Sequence, residues 1–134
     1  MERIHIKPFV SAIQGNIEMI MVAHLYCVCF DSEEIPASLS CNVLGYLRNK
    51  LNYEGVVISD DMVMKGVQKY GSLEACLMGI NAGVDMFIFR NSDDETLNMI
   101  DNLVKIVEQD EQLCKKVIAS YNRIISLKKK FGLI

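Results

Sequence analysis

A chain of 134 residues, 51% hydrophobic and 23% charged, is long enough to bury one core and too apolar to stay disordered. Its 17 acidic residues outnumber 14 basic ones, a net charge of −3. That balance argues against a nucleic-acid partner, because phosphate binding draws on clustered Lys and Arg. The one basic cluster, Lys128-Lys129-Lys130, falls where a helix is predicted to end, and cations there complement the helix dipole.

The N-terminal MERIHIKPF has no long apolar core and no small-residue cleavage site, so it does not read as a secretory signal. The stretch from Ile17 to Phe30 is broken by Glu18 and His24 and falls short of the roughly 20 residues a membrane span needs. A cytoplasmic protein without membrane contact is expected. Five cysteines without framework spacing fit a reducing compartment. His24, Cys27 and Cys29 resemble half of a zinc site, but no second pair follows, so neither metal nor cofactor is expected.

In chain order, Lys7 to Gln14 reads as a helix closed by Gly15 in a left-handed cap, and Ile17 to Ala23 as a strand with His24 at its end. A long loop with Pro36 leads to Ser40, which caps a helix through Leu44, Leu47 and Leu51. Gly55 opens a second strand, GVVISDDM, whose continuous β-branched run predicts burial on both faces in a parallel sheet. After an irregular turn from Met62 to Gly71, Ser72 starts a helix that Gly83 ends, and Asp85 to Phe89 forms a third strand followed by Arg90 and Asn91. Ser92 and Glu95 form a capping box for a helix from Asp93 to about Glu108. Asp110 caps the last helix, whose Cys114, Val117, Ile118, Tyr121, Ile124 and Ile125 predict one buried face, until Gly132 stops it.

This alternation predicts an α/β fold with three parallel strands. Ligands in such folds bind beyond the carboxyl ends of the strands, where His24, Asp60 with Asp61, and Arg90 with Asn91 all fall. Aspartate at a strand end suits either covalent catalysis or the holding of magnesium. Neighbours on a strand point to opposite faces, so Asp60 and Asp61 cannot serve one sugar as the two carboxylates of a retaining pair; one acts and the other supports.

The segments MVAH, PASLS, GVVISDDM with MKG after it, YGSLEACLMGINAGVD and SYNRIISLKKKFGL, in that order, resemble glycoside hydrolase family 3, in its bacterial β-N-acetylhexosaminidase branch. The resemblance runs from about Lys7 to the C-terminus. It implies that Asp60, the first aspartate after the Ser closing Gly-Val-Val-Ile-Ser, is the nucleophile that attacks the anomeric carbon of a terminal β-linked N-acetylglucosamine, with retention. It further implies that His24 and Met64 lie beside the sugar as substrate-binding residues. The substrate it implies is an amino-sugar glycoside of muropeptide or chitin-like type, as in peptidoglycan recycling.

Two family features have no counterpart here: a Lys-His pair that holds the sugar, and an Asp-x-His loop whose histidine is the acid/base; His5 has no such context. YCVCFD also stands where the family has a proline-containing turn. A complete strand–helix barrel takes about 250 residues and eight strands. Residues 1–134 are therefore expected to be the C-terminal portion of a family 3 barrel domain, its last three strand–helix units, and to be inactive alone. The open sheet edges are expected to bind the missing half or to self-associate. A non-catalytic interaction module and a magnesium-dependent phospho-acceptor domain built on Asp60 and Asp61 are the alternatives.

Overall fold

The computed structural model describes residues 2–91 and 93–134. Helix α1 (Lys7–Gln14) packs near strand β1 (Met19–Val22); α2 (Cys41–Gly45), continued by wider turns over Tyr46–Lys50, leads to β2 (Val56–Asp61). Two helices follow, α3 (Lys65–Gln68) and α4 (Ser72–Ala82), then β3 (Met86–Ile88), α5 (Asp94–Gln109) and α6 (Glu111–Lys130). The three strands are parallel in the order β1-β2-β3, with Met19 opposite Val56 and Val22 opposite Ser59. This is the α/β architecture expected, an open arc of barrel-type strand–helix units.

One face of the sheet carries the core. Ile20, Val22 and Val57, which alternate to that side, pack with Leu44 and Leu47 from the α2 segment, with Ala82 at the end of α4 and with Val84 just beyond it. A second cluster, Leu39, Met62, Val67, Ala75, Cys76 and Met99, lies toward the carboxyl end of the strands, and Phe87 touches both. Residues of the opposite parity are less covered: Met21 is 54% exposed and its neighbour Ile58 is only partly buried.

Three of the predicted caps are formed. Ser40 accepts the Val43 N–H, Asp110 accepts from Gln112 and Leu113, and Gly83 takes the left-handed conformation that ends α4. Gly15, in contrast, is not left-handed; Asn16 is, with φ 59°. Its N–H bonds the Ile13 carbonyl while Ile17 N–H bonds Ala12, so the helix closes one residue later, on a side chain type that tolerates this conformation. The turn after β2 is not wholly irregular, since it holds α3. The Ser92 end of the expected capping box lies outside the described residues; Asp93 caps α5, accepting the Thr96 N–H.

The apolar stripe of α6 is not a buried face. Leu113 is buried, but Ile118 is 54% and Tyr121 59% exposed. The helix docks through polar groups instead: Ser120 and Arg123 reach Asp85, and Lys116 reaches Asn81. Periodicity identified the face without saying what covers it.

Candidate active site

The acids close β2 rather than follow it. Between Ile58 and Asp61, β2 spends three residues where β3 spends two, Ile58 pairing with Met86 and Asp61 with Ile88. Such bulges bend a strand and re-aim its side chains. The buried Ser59 hydroxyl accepts the Ile88 N–H at 3.2 Å, supplying an acceptor where the register slips.

The register slip between Ile58 and Asp61 interrupts the alternation along β2, so parity with Ile58 and Met21 assigns neither carboxylate to a face, and both acids are half-buried. The two carboxylates are engaged differently. Asp60 Oδ1 accepts the Asp61 N–H at 2.8 Å. Asp61 Oδ1 accepts Val63 N–H at 3.1 Å and Arg90 N–H at 3.4 Å, and its Oδ2 lies 3.5 Å from Arg90 Nε. A guanidinium thus sits where a magnesium ion would need that carboxylate. Among the described residues no three His, Cys, Asp or Glu side chains gather as a metal site.

His24 lies two residues beyond the end of β1 and is 9% exposed. Its Nδ1 is 2.6 Å from the Ser38 hydroxyl and its Nε2 3.1 Å from the Asp61 carbonyl. A carbonyl cannot donate, so Nε2 carries the hydrogen and Nδ1 of a neutral ring accepts from Ser38. Met64 opens α3 and is 42% exposed; its N–H bonds the same Asp61 carbonyl at 3.0 Å.

His24, Asp60, Asp61, Met64 and Arg90 therefore meet at one end of the sheet, joined by hydrogen bonds or adjacent in chain. Asn91 stands apart, lining a cleft of about 690 Å³ between α4 and α5 with Tyr70, Glu74 and Phe89. That cleft contains none of Asp60, His24 and Met64. Sequence reasoning had no role for Ser38, although PASLS supplied it; only the fold brings a serine 14 positions away onto His24.

A family model described as the glycosyl hydrolase family 3 N terminal domain matches residues 1–127. The chain belongs to glycosyl hydrolase family 3. This family 3 chain is 34% identical over 135 residues to a beta-hexosaminidase of Haemophilus influenzae, covering 90% of the chain and 37% of that protein. It is similar in structure to a glycoside hydrolase family 3 beta-N-acetylglucosaminidase from a Paenibacillus species, with TM-score 0.82 and 30% identity over 91% of this chain and 24% of the other. The beta-N-acetylglucosaminidase of Thermotoga maritima gives TM-score 0.75 and 28% identity over 90% and 27%. The family 3 chain thus spans little more than a third of the length of the curated relative, and three strands are consistent with part of a barrel. Among the described residues no helix is long and apolar enough to cross a membrane.

Proposed function

We propose that residues 1–134 supply the last three strand–helix units of a family 3 barrel and the nucleophile of a retaining β-N-acetylhexosaminidase, Asp60. The observation that carries this reading is the unequal engagement of the two acids. Asp61 is tied to Val63 and Arg90 through both oxygens, whereas Asp60 makes one backbone bond through a single oxygen. A carboxylate held by one oxygen keeps the other for attack on an anomeric carbon. The exposed Met64 thioether beside the acids supports a sugar-contacting role, and His24 completes the wall behind them. The relatives' names, beta-hexosaminidase and beta-N-acetylglucosaminidase, support an N-acetylglucosaminide as substrate; a cytoplasmic route that recycles peptidoglycan fragments is part of the proposal.

The acid/base and the sugar-holding pair must come from preceding strand–helix units. As a separate polypeptide the chain therefore turns over natural substrates slowly, since leaving-group protonation contributes about 10²- to 10⁴-fold. The free edge of β1 is the joint for those units. An apolar groove beside it, flanked by Phe9, Met21, Leu25 and Leu47, is suited to the preceding helix. Light scattering tests the joint: a monomer that binds an upstream barrel segment supports it, and a dimer that refuses the segment makes self-association the function of that edge.

The nucleophile is tested in the chain joined to the upstream part of the Haemophilus influenzae relative, treated with a 5-fluoro glycosyl fluoride. Covalent label should map to Asp60, vanish in Asp60→Ala and persist in Asp61→Ala. Label on Asp61, or label that survives the loss of Asp60, overturns the assignment.

A further inference from the structure

We infer that His24, backed by Ser38, is a positioning residue for Asp60, acting through the backbone of Asp61; this rests on the reading of Asp60 as nucleophile. His24 is buried and both of its ring nitrogens are already satisfied within the chain, by the Ser38 hydroxyl at 2.6 Å and the Asp61 carbonyl at 3.1 Å. A side chain so engaged has no free nitrogen for a sugar hydroxyl. What it does hold is the residue that holds Asp60. Asp61 is fixed by its carbonyl, through His24 Nε2 and Met64 N–H, and by its carboxylate, through Val63 N–H and Arg90. Its remaining backbone donor points at Asp60 Oδ1, 2.8 Å away.

The anchor is itself closely packed. Ser38 is wholly buried in the turn Ala37–Leu39, and Gly66 of α3 lies so close that a Cβ built there would stand 2.9 Å from His24 Cβ. The imidazole thus transmits the position of the loop after β1 to the end of β2. Groups that fix a reacting atom through rigid hydrogen-bonded neighbours act on the geometry of attack, where an error of about 1 Å can cost a hundredfold in rate.

The first test reads the linkage in the ¹⁵N-labelled chain itself, from the Asp61 amide resonance. Asp60→Asn calibrates the shift on weakening the Asp60 acceptor. His24→Ala should move the Asp61 amide in the same direction, and the double variant should be non-additive. His24→Gln, whose amide can still donate to the Asp61 carbonyl, should restore the resonance, and His24→Asn, which is too short, should not. Leu44→Ala, destabilising but remote, should leave it in place. If His24→Ala does not fold, Ser38→Ala serves, and should give a smaller shift of the same sign. An Asp61 amide indifferent to His24 and Ser38 overturns the inference.

The second test uses the chain completed with upstream barrel units. His24→Ala should lower kcat about tenfold to a hundredfold with KM nearly constant, and His24→Gln should recover most of it. A raised KM at unchanged kcat would make His24 a sugar ligand and overturn the inference. Failure of the nucleophile reading looks different: glycosyl labelling misses Asp60 while the coupling at the Asp61 amide persists.

Discussion

Arg48 and Asp85, 37 positions apart in sequence, meet at 2.6 Å beneath the sheet, at the opposite end from the acids of β2. The Asp85 side chain is completely buried and also accepts from Arg123 at 2.9 Å, Ser120 at 2.7 Å and the Val57 N–H at 2.8 Å. Arg48 extends the web to the carbonyls of Tyr53 and Gly55. Burial pulls the Arg48 guanidinium below its usual value, an effect opposed by Asp85. One carboxylate therefore joins the segment after α2, β2, β3 and α6.

Removing that carboxylate leaves two guanidinium groups and a buried N–H without their partner. Asp85→Ala should destabilise by about 3–5 kcal/mol, the range for breaking a buried ion pair from one side. Asp85→Asn should cost less, because an amide oxygen can still accept the Val57 N–H. Urea denaturation of the three proteins tests the order; a neutral Asp85→Ala would mean that the pair is no more than desolvation offset by attraction.

This hub was not legible in the sequence. Asp85 reads only as the first residue of the third strand, and its partners come from two helices and a neighbouring strand. By contrast, the three strands and their parallel arrangement could be read, because short apolar runs alternating with capped helices leave few alternatives. The rim was legible for the same reason: a strand's end is a position in sequence. What each rim residue holds was not, since the Ser38–His24 and Arg90–Asp61 contacts depend on tertiary placement.

Acid should loosen the start of α5. The Asp93 carboxyl is held below its ordinary value of 3.8, first by the Thr96 N–H and then by the Thr96 hydroxyl. A depressed carboxyl contributes stability that is fully present above its unfolded value and is lost as pH falls through the folded one. Amide exchange at Thr96 and Leu97 should therefore rise relative to mid-helix residues only below about pH 3.8. Asp93→Asn, which still caps, should flatten that dependence.

The cysteines should react in an order set by access and burial. Cys29 and Cys41 are exposed, Cys27 is half-buried, and Cys76 is buried. Burial, helped by Cys29 and Asp31, raises the Cys27 thiol, and burial pushes Cys76 up to about 12. Only the thiolate attacks. With iodoacetamide at pH 8, Cys29 and Cys41 should label first, Cys27 more slowly, and Cys76 only in denaturant. Native labelling of Cys76 at the rate of Cys41 would contradict the packing of the second core cluster.

Two glycine substitutions set helix propensity against packing. Gly45 ends α2 with helical φ of −62°, and a Cβ there would find its nearest neighbour, the mobile Asn49 amide, at 3.8 Å. Gly45→Ala should therefore stabilise, by up to about 1 kcal/mol, since alanine restricts the unfolded chain and suits a helix. Gly66 also lies in a helix, but its added Cβ would meet His24 Cβ at 2.9 Å and the His24 carbonyl oxygen at 3.0 Å. Neither atom can swing aside, one being backbone and the other bonded directly to it. Packing should win: Gly66→Ala is expected to cost about 1–3 kcal/mol in denaturant unfolding and to shift the imidazole resonances of His24. A stabilised Gly66→Ala with unmoved His24 signals would mean that α3 does not press on the histidine.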